Sequence, residues 1–275
     1  MVQYGKDRGF LAYHEAGIFL PRHWAKLMAR YPGGIPLDRK PPFDPAERGI
    51  RVLIRGEAGY PEGFDDLRHL DPREGPPVLL QMRGELFPGE KYVTLVGARR
   101  SDPSTLERAR RWARRLAEEG VVVVSGLARG VDGACHRGAL EGGGRTVALL
   151  GSGLGCIYPP EHEELAEAIA QRGALLSEFP YGMKPRPFHF PFRNRLLAAF
   201  SPLTVVVQAG AQSGALHTAE YAQSLGRGVA ALPGPVEDPL YEGSNRLLQE
   251  GAHPVTSVED ILFLWRLYAG GRERD

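Results

Sequence analysis

From residue 92 to about 256 one pattern repeats: a short apolar run, a Gly-rich turn, then a helical segment. Few folds accommodate that alternation. The apolar runs cover residues 93–98, 121–125, 146–150, 174–177, 203–207 and 228–232. They are rich in Val and Leu and barely alternate, as strands covered on both faces do. Helices are expected between them near 104–119, 131–141, 161–171, 193–199 and 214–225, with two more near 244–250 and 258–268. The first is the clearest, since Leu106, Ala109, Ala113, Leu116 and Ala117 share one face and Asp102 or Ser101 is placed to cap it. The alternation predicts an α/β fold, doubly wound about a mostly parallel sheet.

The flanking sequence reads differently. Two short helices, 10–16 and 23–31, are expected around a turn at Phe19-Leu20-Pro21, followed by a linker marked by Pro36, Pro41, Pro42 and Pro45. The expected organisation is a small helical appendage over 1–45 and one larger domain over 46–275. Within the latter, residues 50–91 should add a strand, an irregular segment and a second strand at 78–82.

Composition narrows the function classes. The chain is 43% apolar and 24% charged, an ordinary globular balance, and no run approaches the roughly 18 apolar residues of a membrane span. The first residues lack the apolar core of a secretory signal. Cys135 and Cys156 form neither CxxC nor a Cys/His ligand set, so no metal or disulfide framework is expected and a reducing cytoplasm fits. A net charge of +1 means that any polyanion must be met by locally concentrated cations.

The strands end repeatedly in small residues: Gly97-Ala98, Ser125-Gly126, Gly151-Ser152-Gly153 and Ser213-Gly214. Ligands of open parallel sheets bind beyond those carboxyl ends, where glycine admits close approach and helix amino ends favour anions. Each turn taken singly is as readily an ordinary strand-to-helix connection. None completes GxGxxG or a P-loop, which disfavours a dinucleotide or nucleotide-triphosphate cofactor. Asp132 is expected to cap its helix, or else to position Arg129, and His136 to make a structural hydrogen bond.

Between Glu178 and Glu220 there is no acidic residue, although the chain carries 33. That interval holds Lys184, Arg186, Arg193 and Arg195, interleaved with Phe188, Phe190 and Phe192. Cations beside aromatics suit an unpaired polynucleotide, whose phosphates need neutralising and whose bases need a π surface. Arg193-Asn194-Arg195 is expected to open a helix, with guanidinium groups and free N–H donors facing one phosphate. Arg99 and Arg100 should lie near the same edge. A second cluster, Arg108, Arg110, Arg111, Arg114 and Arg115, reads as a solvated face because Glu107, Glu118 and Glu119 sit at i,i+4 spacing.

Eight short stretches, in order, resemble the DprA/Smf family, the DNA-processing proteins of natural transformation. They are Val96-Gly-Ala-Arg-Arg100, Val123-Val-Ser-Gly-Leu-Ala-Arg-Gly-Val-Asp132, Val147-Ala-Leu-Leu-Gly-Ser-Gly153, Ile157-Tyr-Pro159, Leu176-Ser-Glu178, Phe190-Pro-Phe-Arg-Asn-Arg195, Ser213-Gly-Ala-Leu-His-Thr-Ala219 and Leu232-Pro-Gly234. The resemblance implies an extended Rossmann-like core that binds and protects single-stranded DNA without hydrolysing it, dimerises, and helps load the RecA recombinase. It implies a pocket of Arg99, Ser125-Gly126 and the loop into Arg193-Asn194-Arg195, with Phe190 and either Lys184 or Arg186 on the loop. Arg100, Ser213 and Gly214 complete the expected set. The family's usual Val-Glu-Ala is here Val207-Gln208-Ala209, its Ser-Gly-Ser-Leu is Ser213-Gly-Ala-Leu216, and its Ala-His is Cys135-His136. The helical N-terminal region looks shortened, without a Gly-x-Gly hairpin, and no C-terminal winged helix is expected. Two other readings are a scaffold docking an acidic protein and a nucleotide-processing enzyme of a related fold. The enzyme's Pro-Gly-Gly-x-Gly-Thr-x-x-Glu loop is not matched by residues 209–217.

Overall fold

In the computed structural model the strand-forming valines divide between two cores. Val93, Val121, Val123, Val205 and Val207 pack on one side of a sheet, and Val96, Val122, Val124, Val147 and Val206 on the other. That division is the period of two expressed in a sheet with no solvent face. The structure describes residues 10–31, 36, 40–71 and 74–270. Of the expected N-terminal region, residues 1–9, 32–35 and 37–39 therefore lie outside the described residues.

Nine strands form the sheet: β1 (Ile50–Ile54), β2 (Leu79–Gly84), β3 (Lys91–Gly97), β4 (Val121–Ser125), β5 (Thr146–Leu149), β6 (Ala174–Ser177), β7 (Leu203–Gln208), β8 (Gly228–Ala231) and β9 (His253–Pro254). Their order is β1-β2-β6-β5-β4-β3-β7-β8-β9. From β6 to β9 every neighbour is parallel, while β2 pairs antiparallel with both β1 and β6. The fold is the doubly wound α/β architecture that the sequence predicts. Successive strands run outward on one side of β3, from β4 to β6, and on the other side from β7 to β9. The topology thus reverses between β3 and β7, and such a reversal opens a crevice beyond the strand ends.

The helices are α1 (residues 10–15), α2 (Pro21–Arg30), α3 (Pro103–Glu118), α4 (Val131–Glu141), α5 (Glu163–Arg172), α6 (His189–Phe200), α7 (Gly214–Ser224), α8 (Glu242–Gln249) and α9 (Val258–Gly270). One face of the sheet is covered by α6, α7 and a 3-10 stretch, Glu62–His69, and the other by α3, α4 and α9. Asp102 caps α3, its carboxylate accepting from Thr105 N at 2.8 Å. The helix α6 begins at His189 rather than at Arg193 as the sequence predicts. Pro191 falls within its first turn, where a missing N–H is harmless, so the proline does not delay the helix.

The first helices pack on the loop that follows β6. His14 Nε2 lies 2.9 Å from Glu178 O, the Tyr181 amide donates to Glu15 Oε1 at 2.9 Å, and the Phe19 and Phe179 rings meet at 5.7 Å.

Candidate functional site

Beyond the carboxyl ends of β3 and β7, at the topological switch, an open cleft of about 750 Å³ is lined by Gly97–Arg99, the Gly210–Gly214 turn, the first turns of α6 and the loop before it. Its position follows from the strand order, and its residues follow from the turns that end those two strands.

Arg99 stands at the cleft with its guanidinium 4.9 Å from the centre of the Phe190 ring. It is exposed, as are Arg100, Lys184 and Arg186, and among the described residues no carboxylate pairs with any of the four. Arg186 lines the cleft; Lys184 and Arg100 flank it without lining it. The Phe190 ring lies directly over Gly151, where a β-carbon would come within 2.7 Å of it, and its edge meets Tyr158 at 5.5 Å between centres. Phe190 therefore seats a cation more than it offers a bare stacking face. The exposed rings nearby are Phe188, 57% accessible, and Tyr158.

Arg193 lies beneath. Its Nη1 donates to Gly126 O at 2.9 Å and to Leu149 O, and its Nε donates to Asn194 Oδ1 at 3.2 Å. A β-carbon at Gly126 would collide with this guanidinium, so glycine here makes room for it. Burial pushes the Arg193 pKa down to about 10, with the nearby Asp132 charge opposing and Arg99 adding to the fall. Asn194 Nδ2 donates to Gly214 O at 3.0 Å and ties α6 to the amino end of α7. Ser213 caps α7. A β-carbon at Gly214 would meet open space, leaving that helix end approachable.

Several expected contacts are placed elsewhere. Arg195 is fully buried and held in a bidentate pair with Glu178, both bonds at 2.6 Å, with further donations to Glu74 O and Phe192 O. It braces the molecule and reaches no ligand. Ser125 is buried and donates its hydroxyl to Leu95 O at 2.7 Å. The Gly126 and Ala128 amides are not bare either: both donate to Asp132 Oδ2, at 3.2 and 3.3 Å. The protein thus supplies its own anion to that turn. Asp132 neither pairs with Arg129, which is bound to Glu161, nor waits as a free cap; burial pushes its carboxyl pKa up. His136 Nδ1 lies 2.7 Å from Thr146 Oγ1, the structural bond expected of it.

The cleft therefore gathers Arg99, Arg186, Phe190, Arg193, Asn194, Ser213 and Gly214, and leaves Ser125, Gly126 and Arg195 in its supports. Tyr158 and Thr218 also line it, and sequence reasoning missed both as site residues. Tyr158 sits in a stretch already matched to the family and carried that signal. Thr218 sits mid-helix and carried none.

The sheet and its switch-point crevice define an α/β protein of Rossmann-like topology, with cations at the crevice that no carboxylate pairs among the described residues. A model of the family described as DNA recombination-mediator protein A matches residues 51–266, and the chain belongs to that family. The Streptococcus pneumoniae DNA processing protein DprA is 40% identical over 190 residues, 68% of this chain and 66% of that protein. Escherichia coli protein Smf is 41% identical over 188 residues, 68% of this chain and 50% of that protein. A Mycobacterium tuberculosis relative, 46% identical, is matched over 44% of its length, so the chain spans between 44% and 66% of the length of these relatives. Among solved structures, S. pneumoniae DprA superposes with a TM-score of 0.73 at 30% identity, covering 94% of this chain and 95% of that one. Helicobacter pylori DNA processing protein A, solved for its single-stranded DNA binding mode, superposes at 0.69 and 30% identity, covering 80% and 96%.

Proposed function

We propose that the cleft binds single-stranded DNA. The observation that carries this reading is Arg99, without a carboxylate partner among the described residues and seated on Phe190 at the switch-point crevice. Phosphates are held by Arg99, Arg186 and the Ser213 hydroxyl and Gly214 amide at the amino end of α7, because guanidinium groups and helix amino ends are strong partners for phosphate oxygens; the Ser213 amide itself is spent on Gly210 O. Bases rest against Phe188 and Tyr158, whose exposed rings stack any base alike. Arg193 and Asn194 act as positioning residues that hold the two sides of the cleft together. The role is binding without a catalytic step: the strand-end residue at position 208 is an amide, not a carboxylate fit to act as a base. Membership of the family extends the proposal to a cytoplasmic dimer that protects incoming strands and helps load the RecA recombinase onto them. The single-stranded DNA binding mode for which the H. pylori relative was solved supports the ligand class.

Fluorescence-anisotropy titration with dT oligomers tests the reading. Arg99→Ala is expected to weaken binding by about 1–3 kcal/mol, the worth of a charge-assisted hydrogen bond. A double Arg99→Ala/Arg186→Ala variant that binds as tightly as the parent protein would overturn the assignment of the cleft.

A further inference from the structure

We infer that α2 carries a second contact for the same single strand, so that the binding path continues from the cleft onto the N-terminal helices; this rests on the reading above. Residues 16–37 contain no Asp or Glu. Arg22, Lys26 and Arg30 fall at i, i+4 and i+8 of α2 and therefore form one stripe along it. All three are exposed, and among the described residues none has a carboxylate partner. This differs from α3, whose Arg110, Arg114 and Arg115 are each held by glutamates.

Shape supports the charge. Beside the stripe runs a groove of about 370 Å³, lined by the cations Lys26 and Arg30, by His23, and by the apolar Ile18 and Leu27. Cations flanking a small apolar trough suit a sugar-phosphate chain with unstacked bases. One i,i+4 step advances about 6 Å along a helix, a spacing commensurate with the phosphate repeat of an extended single strand.

A chain of mostly buried rings braces α2 against the start of α6, the helix that lines the cleft. His23 meets Phe19 at 5.7 Å between centres, Phe19 meets Phe179 at 5.7 Å, and Phe179 stacks on His189 at 4.3 Å. His189 opens α6 between the exposed Phe188 and the cleft's Phe190. Lys184, exposed and without a carboxylate partner among the described residues, lies on the loop between β6 and α6. On this inference a strand leaving Arg99 and Arg186 passes the exposed Phe188 and Lys184 on its way to the α2 stripe.

The test uses the full chain with Arg22, Lys26 and Arg30 all changed to Ala. The three positions are exposed and Ala is the best helix former, so α2 should persist, which far-UV circular dichroism checks. Binding is titrated for a dT oligomer of about 6 nucleotides, enough for the cleft, and one of about 25, at several salt concentrations. The variant is expected to bind the short oligomer like the parent and the long one on the order of tenfold more weakly. Its log–log salt slope for the long oligomer should fall by about 2, as for three lost phosphate contacts on a single strand. Unchanged affinity for the long oligomer, or an equal loss for both lengths, would overturn the inference. So would unchanged oligonucleotide binding accompanied by lost binding to phosphatidylserine vesicles, which would assign the stripe to an anionic lipid surface. Failure of the parent to bind the short oligomer would instead remove the cleft reading, so the two failures are told apart.

Discussion

A single side chain illustrates how charge on paper becomes structure. Arg195 belongs to an interval without acids, and the residue that neutralises it, Glu178, stands at that interval's edge. A window of sequence cannot see a pair whose members face each other only after a loop has turned back. The same limit applies to Ser125, whose hydroxyl is spent on a neighbouring strand, and to the Gly126 amide, already taken by Asp132. Arg99 was legible because it follows a strand end directly, and strand ends are fixed by topology. These roles separate in measurement. Arg195→Ala leaves a buried, uncompensated carboxylate and is expected to cost about 3–5 kcal/mol of stability in a denaturant titration. Arg99→Ala, at an exposed and unpaired position, should shift stability by no more than about 0.5 kcal/mol. His136 supplies a pH dependence: burial lowers its pKa from 6.5 to about 3. The unfolded chain therefore takes up a proton below pH 6.5 that the native state refuses until about pH 3. Stability contributed above pH 6.5 is lost as pH falls through this window, by at most about 1.4 kcal/mol per pH unit. In His136→Gln the acid limb of the stability profile should be shallower over that range.

At the scale of elements, what the chain announced most clearly were the strands with four or more apolar residues in a row. The β4 strand matches its expected bounds because Val121–Val124 can be buried on both faces and little else can. The α6 helix was harder, since Lys184–Phe192 carries three prolines and reads as loop throughout, yet Pro191 is compatible with a first turn. The antiparallel insertion of β2 beside β6 depends on long-range pairing and left no local mark. The junction of α3 with β7 was half legible: Asp102 was recognisable as a cap, whereas its second partner was not. Gln208 Nε2 donates to Asp102 Oδ2 at 2.9 Å, and the hydrogen bonds it receives from Ser104, Thr105 and Gln208 hold the Asp102 carboxyl far below the usual carboxylate range, against the opposing effect of burial. A glutamate at position 208, usual in the family, would bring two carboxylates together here and remove the donor. Gln208→Glu is accordingly expected to lower stability at pH 7 by about 1–3 kcal/mol, the cost of a buried polar group left unpaired. The loss should shrink in acid as the introduced carboxyl is protonated. Equal thermal midpoints for parent and variant at pH 7 would contradict this account of the junction.

Across the whole molecule, the two edges of the sheet differ in which cations are available more than in how many there are. At the amino edge, Arg145 is bound to Glu90 and Arg51 lies 3.4 Å from Glu85, while Arg110, Arg114 and Arg115 of α3 are held by Glu141, Glu118 and Glu119. At the carboxyl edge, Arg99, Arg100, Lys184 and Arg186 have no carboxylate among the described residues. A net charge of +1 therefore conceals a local concentration of available cations at the carboxyl edge, because a paired arginine offers an approaching phosphate far less than a free one. The consequence is measurable in the salt dependence of binding, which counts the phosphates neutralised. Removing Arg99 should reduce the log–log slope for a dT oligomer by about 0.7, one phosphate's share on a single strand. Arg114→Ala removes the same formal charge from the surface but only breaks an i,i+4 pair, and should leave both slope and affinity unchanged. Equal slopes for the two variants would mean that total charge governs binding and that the switch-point edge holds no privileged site.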